Sequence, residues 1–342
     1  MSSIKTLSVK DLSSLIKIST HSIHKCIKEH NLEIIPKGNM KVLPPETVFR
    51  ILEIRGFILP RVAGGPIVIN LCGTKGGIGK TSLATSIAEG LSRLGFKVLG
   101  VDLDMQANFT QSFNQKVHGQ SVIYHVITQE CNIDDSIRSV SENLDLLPSS
   151  LDNSQLEYKM NSMQEINITK FFKDLFNPII SKYDVIVIDC PPALNKVTAC
   201  AFCFATTNLI PVNADIDSFD GVVMTVAEMD KIKKSFCNTN LEMNYSVVFN
   251  KYDAREKLTL DIMGKISERE NLKENMLPVV VRTNTAFKNS KADGCFVFDL
   301  RKSSAKEDCF TLVSELIGLT DWSDASKGIR SSRRSEVETV AA

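Results

Sequence analysis

Apolar positions along the chain fall into two rhythms. Six runs are apolar almost without a break: 67–72, 97–101, 183–189, 208–212, 245–249 and 279–282. Such runs predict strands buried on both faces, the habit of a parallel sheet covered by helices. Between them the period changes. Over 82–94, Leu83, Ile87, Leu91 and Leu94 recur at helical spacing, and 220–236 predicts a long helix carrying Lys231, Lys233 and Lys234. Strands alternating with helices predict an α/β architecture, a doubly wound, mostly parallel sheet. The stretch 144–150 reads as a strand that leaves the sheet into a turn.

Residues 5–56 follow another pattern. A short amphipathic helix over 9–16 turns Leu12, Leu15 and Ile16 inward, and Ser19 or Thr20 caps a second helix that runs to about 30. The second helix leaves Thr20, His21, His24, Lys25 and Lys28 outward. Segments 32–35 and 40–43 flank Lys37-Gly38-Asn39 as a hairpin, and Pro44-Pro45-Glu46 opens a third helix closed by Gly56. This order predicts a small winged helix-turn-helix domain over 1–62, its second helix fit for a major groove. Residues 57–65, with Pro60, Gly64 and Gly65, read as a linker. The α/β domain then takes 63–320, and 321–342 is a polar tail.

Composition sharpens this picture only in places. The 342 residues balance at a formal charge of +0, yet up to Arg61 ten Lys and Arg stand against five Asp and Glu. A basic end on a neutral chain points toward nucleic acid. Nine cysteines without framework spacing suggest a reducing cytosol. No signal peptide is evident, and no apolar run approaches the ~18 residues of a membrane span. Cys200 and Cys203 form a CxxC inside an apolar helix over 197–205, where core packing and a metal site compete. No second pair accompanies them, although zinc and iron–sulfur sites need about four ligands.

The candidate chemistry lies where the first buried strand meets the first helix, at Gly73-Thr74-Lys75-Gly76-Gly77-Ile78-Gly79-Lys80-Thr81-Ser82. Strand, glycine loop and helix in this order make a phosphate-binding loop. Gly76, Gly77 and Gly79 let successive N–H groups converge on one anion, and the helix adds its positive end. Lys80 would reach the β- and γ-phosphates, and the Thr81 hydroxyl would hold Mg²⁺. Position 74 is Thr where the plain pattern wants glycine, and a second lysine, Lys75, heads the loop.

With that lysine the loop resembles the deviant Walker ATPases, the ParA/MinD group, whose signature is KGGxGK[ST]. The resemblance covers about 66–318. It implies ATP and Mg²⁺ as cofactors and a dimer in which Lys75 reaches the partner subunit's nucleotide. Asp102-Leu103-Asp104-Met105-Gln106-Ala107-Asn108 resembles the family's DxDPQxN segment, with Met105 for the usual Pro and Ala107 for the usual Gly. By that match Asp104 orients the attacking water and Asp102 sits near the hydrated Mg²⁺. Asp189, ending a buried strand before Pro191-Pro192, fits the Walker B role of bonding Mg²⁺ through water. Asn250-Lys251-Tyr252-Asp253 reads as NKxD, a guanine-specificity motif, but the family resemblance assigns Asn250 to adenine instead.

Carried further, the resemblance implies a DNA partition ATPase, slow because no general base is evident near the loop. It would bind DNA non-specifically, work with a ParB-like partner and lie on the nucleoid in the cytoplasm. Candidate phosphate contacts are Lys265, Arg269, Arg282, Lys288, Lys291, Arg301 and Lys302. The N-terminal domain resembles the extension with which larger plasmid-type ParA proteins bind their own operator, so a nucleotide-regulated repressor is an alternative. A MinD-like membrane ATPase is another, although the tail, with Arg330, Arg333 and Arg334, lacks an apolar face. An iron–sulfur carrier and a GTPase metallochaperone close the range.

Overall fold

A computed structural model describes residues 5–38, 40–58, 65–117, 119–163, 166–238, 241–300 and 303–319, and the backbone alone at 291. Its frame is an eight-stranded sheet in the order β11-β10-β9-β4-β8-β5-β7-β6. The strands are β4 (Ile67–Leu71), β5 (Val98–Asp102), β6 (Arg138–Ser141), β7 (Leu144–Leu147), β8 (Val185–Asp189), β9 (Thr207–Val212), β10 (Tyr245–Tyr252) and β11 (Met276–Arg282). All neighbours are parallel except β6, which runs antiparallel to β7 at the edge. The chain winds from β4 toward β7 on one side, returns through β8, then crosses β4 to build β9, β10 and β11 on the other. The carboxyl ends flanking β4 are therefore the switch point, where such sheets bind ligands.

Two apolar layers cover the sheet. One holds α4 (Lys80–Arg93), α5 (Asn108–Ser112) and α15 (Ser304–Leu316), together with the N-terminal module. The other face takes α6 (Ile123–Ile127), α8 (Leu156–Ser162), α9 (Phe171–Phe176), α10 (Lys196–Phe204), α11 (Ile216–Ser235), α12 (Lys257–Ser267) and α13 (Glu270–Glu274). Short helices α7 (Ile133–Ser136) and α14 (Ala286–Ala292) complete the set. Cys200 and Cys203 are buried in α10 within this second layer, which pushes the Cys203 thiol up to about 11. Among the described residues no group of three or more His, Cys, Asp or Glu is arranged to hold a metal ion, and no helix is long and apolar enough to cross a membrane.

Several boundaries shift for local reasons. The long helix begins at Ile216 rather than 220, because the Asp215 carboxylate accepts from Asp217 N and starts it early. The strand over 144–147 does not leave the sheet: it pairs with β5 on one side and β6 on the other. β6 is short and polar, which hid it. Buried Asn70 donates its Nδ2 to Asn208 Oδ1 at 2.8 Å, so two polar side chains satisfy each other inside strands that read as apolar.

The N-terminal module contains α1 (Val9–Leu15), α2 (Thr20–Glu29), β2 (Ile35–Lys37), β3 (Met40–Leu43) and α3 (Pro45–Ile54). Ser8 caps α1 by accepting from Asp11 N, and Ser19 caps α2 by accepting from Ser22 N. A strand that the sequence did not signal, β1 (Leu7–Ser8), pairs with β3 and makes a three-stranded antiparallel sheet, β1-β3-β2. The hairpin's first strand is 35–37 instead of 32–35, with Asn39 outside the described residues. The module is not loosely tethered. Phe49 meets Phe96 edge-on at 5.6 Å between centroids, Phe57 does so at 6.4 Å, and Lys306 binds Asp11 at 2.8 Å. Phe57, the first residue of the expected linker, is thus buried, while 59–64 and 320–342, which takes in the whole tail, lie outside the described residues.

Candidate nucleotide site

Gly73 to Gly79 bridges β4 and α4 at the switch point. Ile78 is the loop's apolar anchor and is buried. Thr74, which replaces a glycine, is accommodated by another: its Oγ1 lies 3.4 Å from Gly221 O, and a Cβ at 221 would approach Thr74 Oγ1 to 2.9 Å. Nothing in the spacing announces this pairing, because the two positions lie on different elements. Gly79 has φ +94°, and a Cβ there would collide with Asn250 Nδ2.

Two lysines leave the loop in opposite senses. Lys80 turns inward, its Nζ donating to Gly73 O at 3.1 Å and Lys75 O at 2.9 Å. Burial lowers its pKa, against the attraction of Asp189. Lys75 turns outward to the start of α11, donating to Asp217 Oδ2 at 2.6 Å, with Asp215 Oδ2 at 3.6 Å. The hydrogen bond to Asp217 raises its pKa. Ser82, also assigned to the loop, is exposed on the first turn of α4.

The acids gather on the neighbouring strand ends. Thr81 Oγ1 donates to Asp189 Oδ2 at 2.7 Å, while Asp189 Oδ1 is buried with no hydrogen-bond partner among the described residues. Burial, reinforced by the charge of Asp102, drives the Asp189 carboxyl well above its ordinary value. A hydroxyl and a half-satisfied carboxylate side by side suit a hard divalent cation, so Thr81 and Asp189 fit Mg²⁺. Asp102, 0% exposed, is saturated differently: Oδ2 accepts from Thr110 N and Oγ1, and Oδ1 from Asp104 N at 3.1 Å. Burial pushes it up to about 7.

Asp104 is half-buried at the loop after β5. Its Oδ1 accepts from Gln106 N, and its carbonyl accepts from Ser149 Oγ at 2.6 Å. Ala107, standing where the resemblance expects glycine, takes φ +51°. This left-handed conformation is uncommon for a residue with a Cβ. A cleft of about 840 Å³ beside this segment, lined by Met105, Gln106, Glu130, Cys131 and Asp152 among others, does not include the glycine loop. Asn250 is 5% exposed and donates Nδ2 to Ile78 O at 2.7 Å, so its amide faces the loop's backbone.

The candidate DNA contacts scatter. Arg282 is engaged by Asp308 through Nε and a 2.6 Å bond from Nη2. Lys265 and Arg269 both lie over the Phe219 ring, at 5.7 and 5.6 Å. The side chain of Lys291, with Arg301 and Lys302, lies outside the described residues, as do the arginines of the tail.

Comparison with known proteins gives the geometry its context. The profile of the AAA domain family matches residues 67–243. The cell division protein PomZ of Myxococcus xanthus is 30% identical over 234 residues, 67% of this chain and 71% of PomZ. The sporulation initiation inhibitor protein Soj of Bacillus subtilis is 26% identical over 245 residues, 70% of this chain and 94% of Soj. Two uncharacterized proteins of Mycobacterium tuberculosis match at 28% identity, the alignment spanning 66% of their length. Among solved structures, an ATP complex of a McdA variant from Cyanothece superposes with a TM-score of 0.65 at 20% identity, over 74% of this chain and 97% of that one. That likeness is one of fold.

Proposed function

We propose a function on one premise: the chain belongs to the AAA domain family, in its branch of ParA-type partition ATPases. It binds ATP with Mg²⁺ at the loop over 76–82 and hydrolyses it slowly. Nucleotide occupancy drives a dimer that holds DNA non-specifically, and a ParB-like partner stimulates release. In this reading Lys80 neutralises phosphate charge from within the loop. Thr81 and Asp189 hold the cation, which supplies charge neutralisation at the phosphates when bound. Asp104 orients water, kept in place by Asp102 through its N–H and by Ser149 through its carbonyl.

The observation that carries the reading is the opposed pair of lysines. One cation serves the loop that bears it, while Lys75 sits at the exposed mouth, where a two-fold mate brings it to the neighbouring nucleotide. A cation aimed at developing phosphoryl charge is worth ~10³–10⁵ in rate in related arrangements. The test is Asp104→Ala. Phosphate release should fall to background, while scattering with ATP still reports a dimer and sedimentation still reports DNA binding. Turnover like the parent's would remove Asp104 from its role.

The N-terminal module supports a second role, regulation at an operator. Thr20, His21, His24, Lys25 and Lys28 are exposed together on α2. A nuclease footprint upstream of the chain's own coding sequence, lost when Lys25 and Lys28 become Ala, is the expected result. A footprint unchanged by those substitutions would assign the module to packing alone.

A further inference from the structure

We infer that Asn250 and Lys251, at the carboxyl end of β10, are positioning residues that brace the glycine loop by its carbonyls and so aim its N–H groups at phosphate. The inference rests on the nucleotide reading of that loop. Asn250 Nδ2 donates to Ile78 O at 2.7 Å, and Lys251 Nζ donates to Gly77 O at 2.7 Å. These are consecutive carbonyls.

In a trans peptide the C=O and the following N–H lie in one rigid plane and point in opposite directions. A carbonyl pulled outward therefore turns the next N–H inward. Lys251 fixes the direction of Ile78 N–H through Gly77 O. Asn250 fixes that of Gly79 N–H through Ile78 O. The loop needs such help, since Gly76 and Gly77 have nothing within 4 Å of where a Cβ would stand. Glycine supplies conformational freedom, and freedom has to be removed before N–H groups can converge.

The brace is itself firmly based. β10 is paired on both sides, by β9 and β11. Lys251 adopts φ +54°, and Thr283 ties this corner down by donating Oγ1 to Lys251 O at 2.9 Å and N to Tyr252 O at 3.0 Å. Gly79 follows from the same contact, because a Cβ there would collide with the Asn250 amide. The rival role, reading a purine, would draw on groups that already have partners. Asn250 directs an amide N–H to the loop, and both oxygens of Asp253 accept from Arg255, at 2.9 and 2.6 Å.

The experiment compares MgATP with magnesium tripolyphosphate, a ligand without base or sugar, as competitors for a fluorescent ATP analogue. The proteins are the full chain, Lys251→Met, Lys251→Arg and Asn250→Ala. A brace predicts that Lys251→Met and Asn250→Ala each weaken both ligands by the same factor, about 3–10-fold for one lost hydrogen bond, and that Lys251→Arg recovers most of it. Weakening of ATP alone would make the two residues base readers and overturn the inference. Unchanged binding of both ligands would overturn it as well, as would a parent chain that binds ATP but not tripolyphosphate. A parent that binds neither removes the nucleotide reading itself, a separate failure. Lys251 is exposed, so Lys251→Met carries the test even where Asn250→Ala fails to fold.

Discussion

At its amino end α4 meets one buried lysine and three acids; at its carboxyl end, about 20 Å away, two cations meet two acids. The near group is Lys80 with Asp102, Asp104 and Asp189, and Lys75 is drawn off to Asp217. The far group is Arg93 and Lys5 with Glu89 and Asp299. Arg93, 3% exposed, donates to Glu89 Oε1 at 2.8 and 2.9 Å, to Asp299 Oδ1 at 2.6 Å and to Thr6 O at 3.2 Å. Each group buries a carboxylate oxygen that has no hydrogen-bond partner among the described residues, Asp189 Oδ1 near and Glu89 Oε2 far. The difference is charge balance. The far end is neutral within itself and fixes the helix to the N-terminal module, whereas the near end carries surplus negative charge that an added cation would relieve. One helix thus joins a site made to change its ligand state to a joint made not to.

Removing a cation should therefore have opposite consequences at the two ends. Lys75→Ala is expected to lower ATP hydrolysis by about 10³-fold or more while leaving unfolding stability unchanged. Phosphate release and urea unfolding on the same preparation measure the two quantities. A variant that keeps its turnover breaks the comparison at the near end.

Arg93→Met is expected to do the reverse. It leaves Glu89, 0% exposed, as a buried charge whose remaining ion pair among the described residues is Lys5 Nζ, 3.8 Å away. Breaking a buried pair by deleting one partner costs about 3–5 kcal/mol. The unfolding midpoint should drop accordingly, with nucleotide affinity of the folded protein unchanged. A loss under about 1 kcal/mol would mean that the far end is no lock.

The two ends also differ in how far they could be read from the sequence. Lys75, Lys80 and Thr81 stand out because phosphate chemistry fixes residue types at fixed spacing along one strand, loop and helix, and Asp189 because it closes a second buried strand. The parallel sheet was legible for a similar reason, since burial on both faces leaves unbroken apolar runs. Nothing comparable marks Arg93, Glu89 and Asp299, which look like an ordinary helix pair and a distant acid. Their meeting depends on how α15 and the N-terminal module pack on α4, and sequence spacing carries no such information. Thr74 on Gly221 and Asn250 on Ile78 escaped for the same reason, as each joins the loop to a helix or strand more than 140 positions away. β1 and β6 were missed because short, partly polar edge strands lack the alternation that announces a half-buried strand.

The smallest expected effect lies in acid and tests whether the far end is balanced as described. Burial works to raise the Asp299 carboxyl, but the charge and hydrogen bond of Arg93 outweigh it and hold the pKa below its ordinary value. The unfolded chain then binds the proton more readily than the folded one, so stability rises with pH across this titration. The contribution is complete above about pH 4, the ordinary range of an aspartate, and is lost as pH falls through the lowered folded value. Asp299 is partly exposed, which keeps the term small, under about 1 kcal/mol. Asp299→Asn should therefore unfold at lower urea than the parent by a constant margin from about pH 7 to pH 5, and the margin should shrink below about pH 4 as the parent carboxylate protonates. A margin that stays constant into acid would show that Asp299 acts through its contact with Phe296 N rather than through its charge, and Glu89 alone would then be the counter-ion of Arg93.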